Sequence, residues 1–210
     1  MHFNWRAALV NFSFSQIEAA LAGLHRIAPA HRTAFASRIK NYQRQGFPPG
    51  TKTGKGRAAS YNIGHLLQLA FVFEFNQLGL LPERASRTVT ANLETINYAI
   101  TECVGYRGMK PGEVFIHFDP FNLIELMDPR YTDPVSVSFW FDHLDAVKQR
   151  FDQWKTPRKP ALDLPRQGSR LAFINVTQLI SSLVAQISET EEVEIEIFNA
   201  IANWRWRGLK

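Results

Sequence analysis

A helical pattern that stops at a basic segment rich in proline and glycine most constrains how this chain can fold. Pro29 suits the first turn of a helix and Gly46 suits its end, so the pattern predicts a helix over about 29–45. The next segment, 47–57, contains two prolines, three glycines and three basic residues. Because proline and glycine at this density exclude a helix, the sequence predicts a basic wing over 50–57.

The predicted helix has one apolar face and one basic face. Phe35, Ile39 and Tyr42 follow the spacing i, i+4, i+7, which predicts a buried stripe. The opposite face has basic, hydroxyl and amide side chains and no carboxylate, and Arg38 lies beside it. Solvated helix faces usually mix both signs of charge, so this face indicates an anionic partner. Its members are Thr33, Ser37, Lys40, Asn41 and Arg44.

Positive charge is concentrated in the N-terminal part of the chain. Residues 1–87 contain eleven Lys and Arg against three Glu, a formal charge of +8, whereas residues 88–210 carry −3. Each Lys or Arg placed at a phosphate releases a condensed counterion, so a concentrated positive field favours nucleic acid as the partner. A basic surface that serves only solubility is the alternative explanation of the same asymmetry.

Three further helices are predicted in the N-terminal part. The first covers about 15–24, where Ser15 and Glu18 have the spacing of a capping box. The next two cover about 62–78 and 82–104. In the last of these, five apolar residues repeat at alternate spacings of four and three, which fits either a dimer seam or a face packed on the second domain. They are Val89, Leu93, Ile96, Ile100 and Cys103.

From Gly105 onwards the composition is typical of mixed strands and helices. Alternating β-branched and aromatic residues predict three strands, over 113–118, 135–141 and 170–176. Helices are predicted over 142–154, 177–188 and 191–206, with Thr177 as a cap. The predicted fold class is therefore α+β. A helical winged helix-turn-helix domain over 1–104 would precede a small α+β domain over 105–210, which would serve ligand or partner binding or dimerisation.

Several other classes of protein are disfavoured by the sequence. The apolar stretch 63–81 is interrupted by polar residues, so we expect no membrane-spanning helix, and the N-terminus does not predict a secretory signal. The segment after Gly50 has three residues before its Gly-Lys pair, one fewer than a phosphate-binding P-loop requires. With the single Cys103 and scattered histidines, we expect neither a metal site nor a cofactor. His117 and His143 lie near aspartates, but strand ends and helix caps explain them, so no catalytic residue is assigned and an enzyme is not expected.

The second helix and the loop after it resemble the DNA-binding domain of the MerR family of regulators. The similarity rests on the run RIKNYQRQGFPP, residues 38–49, on the basic glycine-rich wing, and on Tyr61 before the next helix. The family pattern is a helix ending in Arg-Tyr-Tyr-Glu-Arg-x-Gly-Leu, a wing containing proline, and a tyrosine. Four positions match its first Arg, second Tyr, second Arg and Gly: Lys40, Tyr42, Arg44 and Gly46.

The resemblance covers about 14–104 and marks a distant relative. Asn41 and Gln43 replace an aromatic and an acidic residue of the family pattern, and Arg57 lies farther from Tyr61 than the family's wing arginine does. The resemblance implies a helix in the major groove, wings on the DNA backbone and a two-fold dimer. The resemblance does not imply that a metal ion is the effector, because Cys103 is the only cysteine.

Each predicted contact residue has a chemical role at DNA. Lys or Arg suits guanine and Asn suits adenine, so the helix offers candidates for base and phosphate contacts, Ser37, Lys40, Asn41 and Arg44. Wing cations would hold phosphates without reading sequence, and these are Lys52, Lys55 and Arg57. The predicted DNA-binding set is completed by Thr33, Arg38 and Tyr61.

The sequence therefore predicts a sequence-specific, DNA-binding transcription regulator of bacterial type, cytoplasmic and nucleoid-associated. Its expected partners are double-stranded DNA and a second copy of the chain, with RNA polymerase or a small-molecule effector as further partners. The alternative is a ligand- or protein-binding module, or a small enzyme, that acts through the C-terminal domain while the N-terminal domain binds nucleic acid non-specifically. Aromatic residues there are candidates for that alternative, although core packing also explains them: Phe115, Phe118, Phe121, Phe139, Trp140 and Phe141.

Overall fold

Eight α-helices, a short 3-10 helix (Pro29–His31) and a three-stranded antiparallel sheet make up the regular structure of the described residues, which confirms the α+β class. The structure is a computed structural model that describes residues 11–51, 59–104, 112–118, 139–154, 172–188 and 190–203. The helices are α1 (Phe14–Leu24), α2 (Arg32–Arg44), α3 (Ile63–Gln77), α4 (Pro82–Ala91), α5 (Leu93–Val104), α6 (Leu144–Trp154), α7 (Val176–Ile187) and α8 (Glu191–Asn203). The strands are β1 (Val114–Phe118), β2 (Phe139–His143) and β3 (Ala172–Asn175).

The described residues divide into two compact units. One unit contains the residues up to Glu74 together with those from Leu179 onwards, and the other contains the residues from Phe75 to Gln178. The predicted domain boundary after Val104 stays a prediction. Across the described ranges, no helix has the length and apolar character needed to cross a membrane.

The start of α1 differs from its prediction. The N-cap is Ser13, whose hydroxyl accepts a hydrogen bond from the Gln16 backbone N–H at 3.3 Å, while the Gln16 side chain accepts one from the Ser13 N–H at 2.8 Å. The capping box predicted for Ser15 and Glu18 is therefore wrong. Because Ser13 and Gln16 satisfy the first backbone donors, the Glu18 carboxylate is left for another contact.

Three helices end in the same hydrogen-bonded turn, a Schellman motif. After α2, Phe47 N–H donates to Tyr42 C=O and Gly46 N–H donates to Gln43 C=O, both at 2.9 Å. The residue after each helix cap has a positive φ, +83° at Gly46, +91° at the end of α3 and +52° at the end of α1. The first two positions are glycines, but the third is Arg26. A side chain with a Cβ atom is strained in this left-handed region, so α1 ends at a cost that the other two helices avoid.

The helix predicted over 82–104 is broken into α4 and α5. Asn92 lies between them with non-helical backbone angles, and its side-chain amide donates to Thr88 C=O at 2.9 Å. All five residues of the predicted seam are buried within the single chain. The structure therefore agrees with a packed face, because these five side chains are buried without a second copy of the chain.

The sheet has the order β2-β1-β3. Ile116 pairs with Phe141 on one side and Ile174 on the other, and α5 packs on β1 and β2.

Helix α7 follows β3 directly, and its first turn is capped by Asn175, whose side chain accepts from the Gln178 N–H at 2.9 Å. The predicted cap Thr177 is wrong, because its hydroxyl instead accepts from the Val114 N–H at 3.0 Å.

The strained turn after α1 gives a stability prediction. We expect Arg26→Gly to raise the free energy of unfolding by about 1 kcal/mol, because glycine adopts a positive φ without a Cβ clash. Gly46→Ala should lower it by a similar amount, about 1 kcal/mol, although no atom lies within 4 Å of the added Cβ. Urea unfolding measures both, and Arg26→Gln is the control that removes the charge but retains the strain. An equal gain in Arg26→Gln and Arg26→Gly would contradict the backbone explanation.

Candidate nucleic-acid interface

The orientation of α2 is set by its buried stripe. Phe35, Ile39 and Tyr42 are all buried, which confirms the predicted apolar face. Phe35 and Tyr42 contact Phe73 of α3, with ring centroids 4.8 and 5.7 Å apart. Aromatic pairs at these separations add about 0.5–1.5 kcal/mol each beyond their buried area. With this face fixed against α3, the opposite face of α2 is turned to solvent.

That outward face carries the residues predicted from the sequence. Thr33, Ser37, Arg38, Lys40 and Arg44 are exposed, and Asn41 is half-buried. The Ser37 hydroxyl donates to the Thr33 carbonyl at 3.0 Å, so its proton is occupied within the helix. Ser37 is accordingly the least available donor of the set, while the long cationic side chains extend beyond it.

One carboxylate in the segment 11–51 opposes five basic residues, and an arginine of α2 neutralises it. This carboxylate is Glu18 of α1, and it forms a two-pronged ion pair with Arg32, with N···O distances of 2.6 and 2.7 Å. The pair joins α1 to the start of α2 and raises the pKa of Arg32 through the side-chain hydrogen bond. Within the described ranges, no ion pair engages the cations further along the helix, Arg38, Lys40 and Arg44.

Lys40 is held by a contact that the sequence did not predict. Its ammonium nitrogen lies 5.2 Å from the centroid of the Phe14 ring, within range of a cation–π interaction. Phe14 is the first residue of α1 and is half-buried. The N-terminus of α1 and the outward face of α2 therefore meet at this lysine.

The beginning of the predicted wing is anchored to α2. The Thr51 hydroxyl and N–H both donate to the Pro48 carbonyl, at 2.7 and 3.2 Å, and Thr51 is fully buried. The Gln43 side chain donates to the Thr51 carbonyl at 3.4 Å. The wing cations, by contrast, lie outside the described residues, so Lys52, Lys55 and Arg57 stay predictions.

The end of the same loop pairs with the segment just before α1. Phe12 and Tyr61 exchange backbone hydrogen bonds of 2.6 and 3.1 Å, and the Ser60 hydroxyl donates to the Asn11 side chain at 2.6 Å. The Tyr61 ring is fully buried, and burial raises the pKa of its hydroxyl to about 12. Tyr61 was predicted as a DNA contact, but in this conformation it is a core residue and is left out of the contact surface.

A buried histidine lies behind α2. His25, at the end of α1, contacts the rings of Phe35 and Phe73 at centroid distances of 6.4 and 5.6 Å. Its Nδ1 lies 3.4 Å from the Glu74 carboxylate, yet burial lowers the pKa of His25 to about 4 and raises that of Glu74. At neutral pH the imidazole is neutral, so the contact is a polar one rather than an ion pair.

The other unit contains a second buried polar pair. His117 Nε2 lies 2.7 Å from the Asp142 carboxylate, linking β1 to β2, and the His117 ring stacks on Trp140 at 5.9 Å. The His117 side chain is only 3% exposed. Among the described residues, no group of three or more His, Cys, Asp or Glu could hold a metal ion.

The pairs that sequence analysis missed are contacts between elements. Phe14 lies just before the helix predicted over about 15–24, and Arg32 is one of the eleven basic residues counted in residues 1–87. The one available signal was that Glu18 is the sole acidic residue before Glu74, which makes it the expected partner of a nearby arginine. The position of Lys40 over an aromatic ring had no sequence signal.

The lowered pKa of His25 predicts how stability depends on pH. The folded state binds fewer protons than the unfolded state between pH 6.5 and about 4, so the free energy of unfolding should be highest above pH 6.5 and fall as the pH drops through this range. The difference between the His25 pKa values of the unfolded and folded states corresponds to about 3 kcal/mol in the free energy of unfolding. The raised pKa of Glu74 offsets part of this loss.

His25→Phe retains a ring at this position and removes the titration. Chemical unfolding of both proteins at pH 7, 6, 5 and 4 should show a shallower loss of stability in the variant. Parallel pH profiles for the two proteins would contradict the assignment of this loss to His25.

Comparison of the chain with protein-family models, with curated proteins and with solved structures found no match.

Proposed function

We propose that this protein is a sequence-specific DNA-binding transcription regulator that reads DNA through α2. The observation that carries the proposal is the exposed face of α2, where Lys40 and Arg44 have no acidic partner among the described residues, and neither has Arg38, which is exposed on the flank of that face. The nearest carboxylate in sequence, Glu18, is neutralised by Arg32. Exposed cations without acidic partners on one helix favour a polyanion, because each phosphate contact releases counterions.

The dimensions and chemistry of α2 suit the major groove. Its 13 residues give a length of about 20 Å, and a groove about 12 Å wide admits one helix. The exposed face combines an amide, Asn41, with two cations, Lys40 and Arg44. Amides pair with adenine and cations with guanine, so this face has the functional groups needed for base recognition as well as phosphate binding.

The local architecture supports a winged helix-turn-helix related to that of the MerR family. Helices α1 and α2 pack as consecutive helices, joined by the Glu18–Arg32 pair. The loop after α2 is held at its start by Thr51 and at its end by the Phe12–Tyr61 backbone pair. A loop fixed at both ends beside the reading helix is suited to lie along the DNA backbone, where its Lys52, Lys55 and Arg57 would bind phosphates.

We further propose that the protein acts as a homodimer on a two-fold operator. Helix-turn-helix dimers bind half-sites about one helical turn apart, about 34 Å, so two copies of α2 would read the two halves. The residues beyond α4 would supply the dimer contact or bind RNA polymerase or a small-molecule effector.

Removal of the two cations on α2 tests the proposal directly. DNA fragments selected by the wild-type protein from a random-sequence library should share a two-fold motif. Lys40→Ala/Arg44→Ala should bind them at least about tenfold more weakly, because each lost base or phosphate contact is worth about 1–3 kcal/mol. Fluorescence anisotropy across a salt series measures this loss. The slope of log affinity against log salt is negative, and its magnitude should decrease by about 1 for each phosphate contact removed.

A charge-matched variant separates local contact from bulk charge. Arg87→Gln/Lys148→Gln removes the same formal charge from residues that pair with Glu83 and Asp145 within α4 and α6. We expect this control to bind the selected DNA nearly as well as the wild type. Equal losses in both double variants, or selection that enriches no shared motif, would overturn sequence-specific reading by α2 and leave non-specific electrostatic binding.

Sedimentation equilibrium tests the dimer. At micromolar concentration we expect a mass twice that of the single chain. The wild type and Lys40→Ala/Arg44→Ala should both show it, because neither substitution lies in the residues proposed to form the dimer contact. A monomer at this concentration that also binds DNA as one copy per site would contradict the two-fold arrangement.

A further inference from the structure

The N-terminal aromatic residue of α1 touches one of the cations proposed to read DNA. Lys40 is exposed, and its ammonium lies over the half-buried ring of Phe14 at 5.2 Å. Phe14 is itself fixed, because it follows the N-cap Ser13 and begins a helix that is tied to α2 by the Glu18–Arg32 pair. The backbone that carries the ring is therefore held in place next to a lysine side chain with many rotamers.

We propose that Phe14 is a positioning residue for Lys40, which restrains the ammonium before DNA arrives; this inference rests on the function proposed for α2. A free lysine side chain has substantial rotamer entropy, and part of it is lost when the ammonium is fixed on DNA. A contact that limits the rotamers beforehand reduces that loss. The ammonium offers three N–H donors, and the face of an aromatic ring takes up only one side of it, so donors remain for a base or phosphate.

The expected size of the effect follows from the strength of the contact. An exposed cation–π interaction contributes about 0.5–1 kcal/mol, and preorganisation cannot gain more than the interaction that causes it. Converted at 1.4 kcal/mol for each factor of ten, this is about a two- to fivefold change in affinity. Arg44 serves as an internal comparison, because no ring contact of Arg44 occurs among the described residues.

A double-mutant cycle on selected DNA tests the proposal. Phe14→Leu retains apolar bulk but removes the aromatic face, and Lys40→Met retains the length of the lysine stem but removes the charge. We expect Phe14→Leu to weaken binding about two- to fivefold in the wild-type background and to have no effect in the Lys40→Met background. Phe14→Tyr, which restores an aromatic face, should bind like the wild type.

Two further measurements distinguish positioning from a general structural role. Urea unfolding identifies any loss of stability, and the NMR shift of the Lys40 ε-methylene protons reports the ring directly, since a ring face moves them upfield. That upfield shift should be present in the wild type and in Phe14→Tyr and absent in Phe14→Leu. An unshifted ε-methylene in the wild type would overturn the contact itself.

Equal losses from Phe14→Leu in both backgrounds would show that Phe14 acts without Lys40 and would overturn the positioning role alone. Loss of binding in Lys40→Met with none in Phe14→Leu would do the same. Wild-type protein that selects no DNA motif would instead overturn the proposed function, and this inference with it.

Discussion

The packing of α2 against Phe73 determines what the N-terminal part of this protein presents to its surroundings. Phe35 and Tyr42 contact that ring, and Ile39 between them is fully buried. A helix anchored by three residues along one stripe cannot rotate without exposing them, and truncating a buried isoleucine alone typically costs about 2–5 kcal/mol. The exposed cations are therefore held in one direction by apolar packing on the other side of the helix. The His25 ring extends the same cluster, and its lowered pKa keeps the ring neutral at neutral pH.

Electrostatics then act on a frame that packing has already fixed. The Glu18–Arg32 pair removes the one negative charge of α1 from the field around α2 and at the same time joins the two helices. Arg38, Lys40 and Arg44 have no ion pair among the described residues, so their positive charge is not cancelled by a direct acidic partner. The distribution of charge, more than its total, thus points to a polyanionic partner.

Local patterns predicted the parts of the fold that depend on local chemistry. The stripe on α2 and the glycine stop at Gly46 follow from helical periodicity and from the need for a positive φ. The break at Asn92 could not be predicted, since the apolar spacing continues across it and asparagine is only mildly unfavourable in a helix. The cap of α7 was assigned to the wrong polar residue because the Thr177 hydroxyl is engaged by β1, a strand far away in sequence. At the candidate site the exposed face of α2 was predicted, but the burial of Tyr61 and the contact of Phe14 with Lys40 depend on how separate segments meet.

Cations alone would explain attraction to DNA but not a preference among sequences. Phosphates are the same at every site, so a flexible basic surface binds all of them with similar affinity. Discrimination between base pairs needs donors held in register with the groove, because a displaced donor loses its bond to the base while it still attracts phosphate. Under the proposed function, three features of this chain would restrain donors in that way: the buried stripe against the rotation of α2, the Glu18–Arg32 pair between α1 and α2, and the Phe14 ring beside Lys40. Each of them would act on the geometry of the donors, and a helix that reads sequence needs such restraint where a merely basic helix does not.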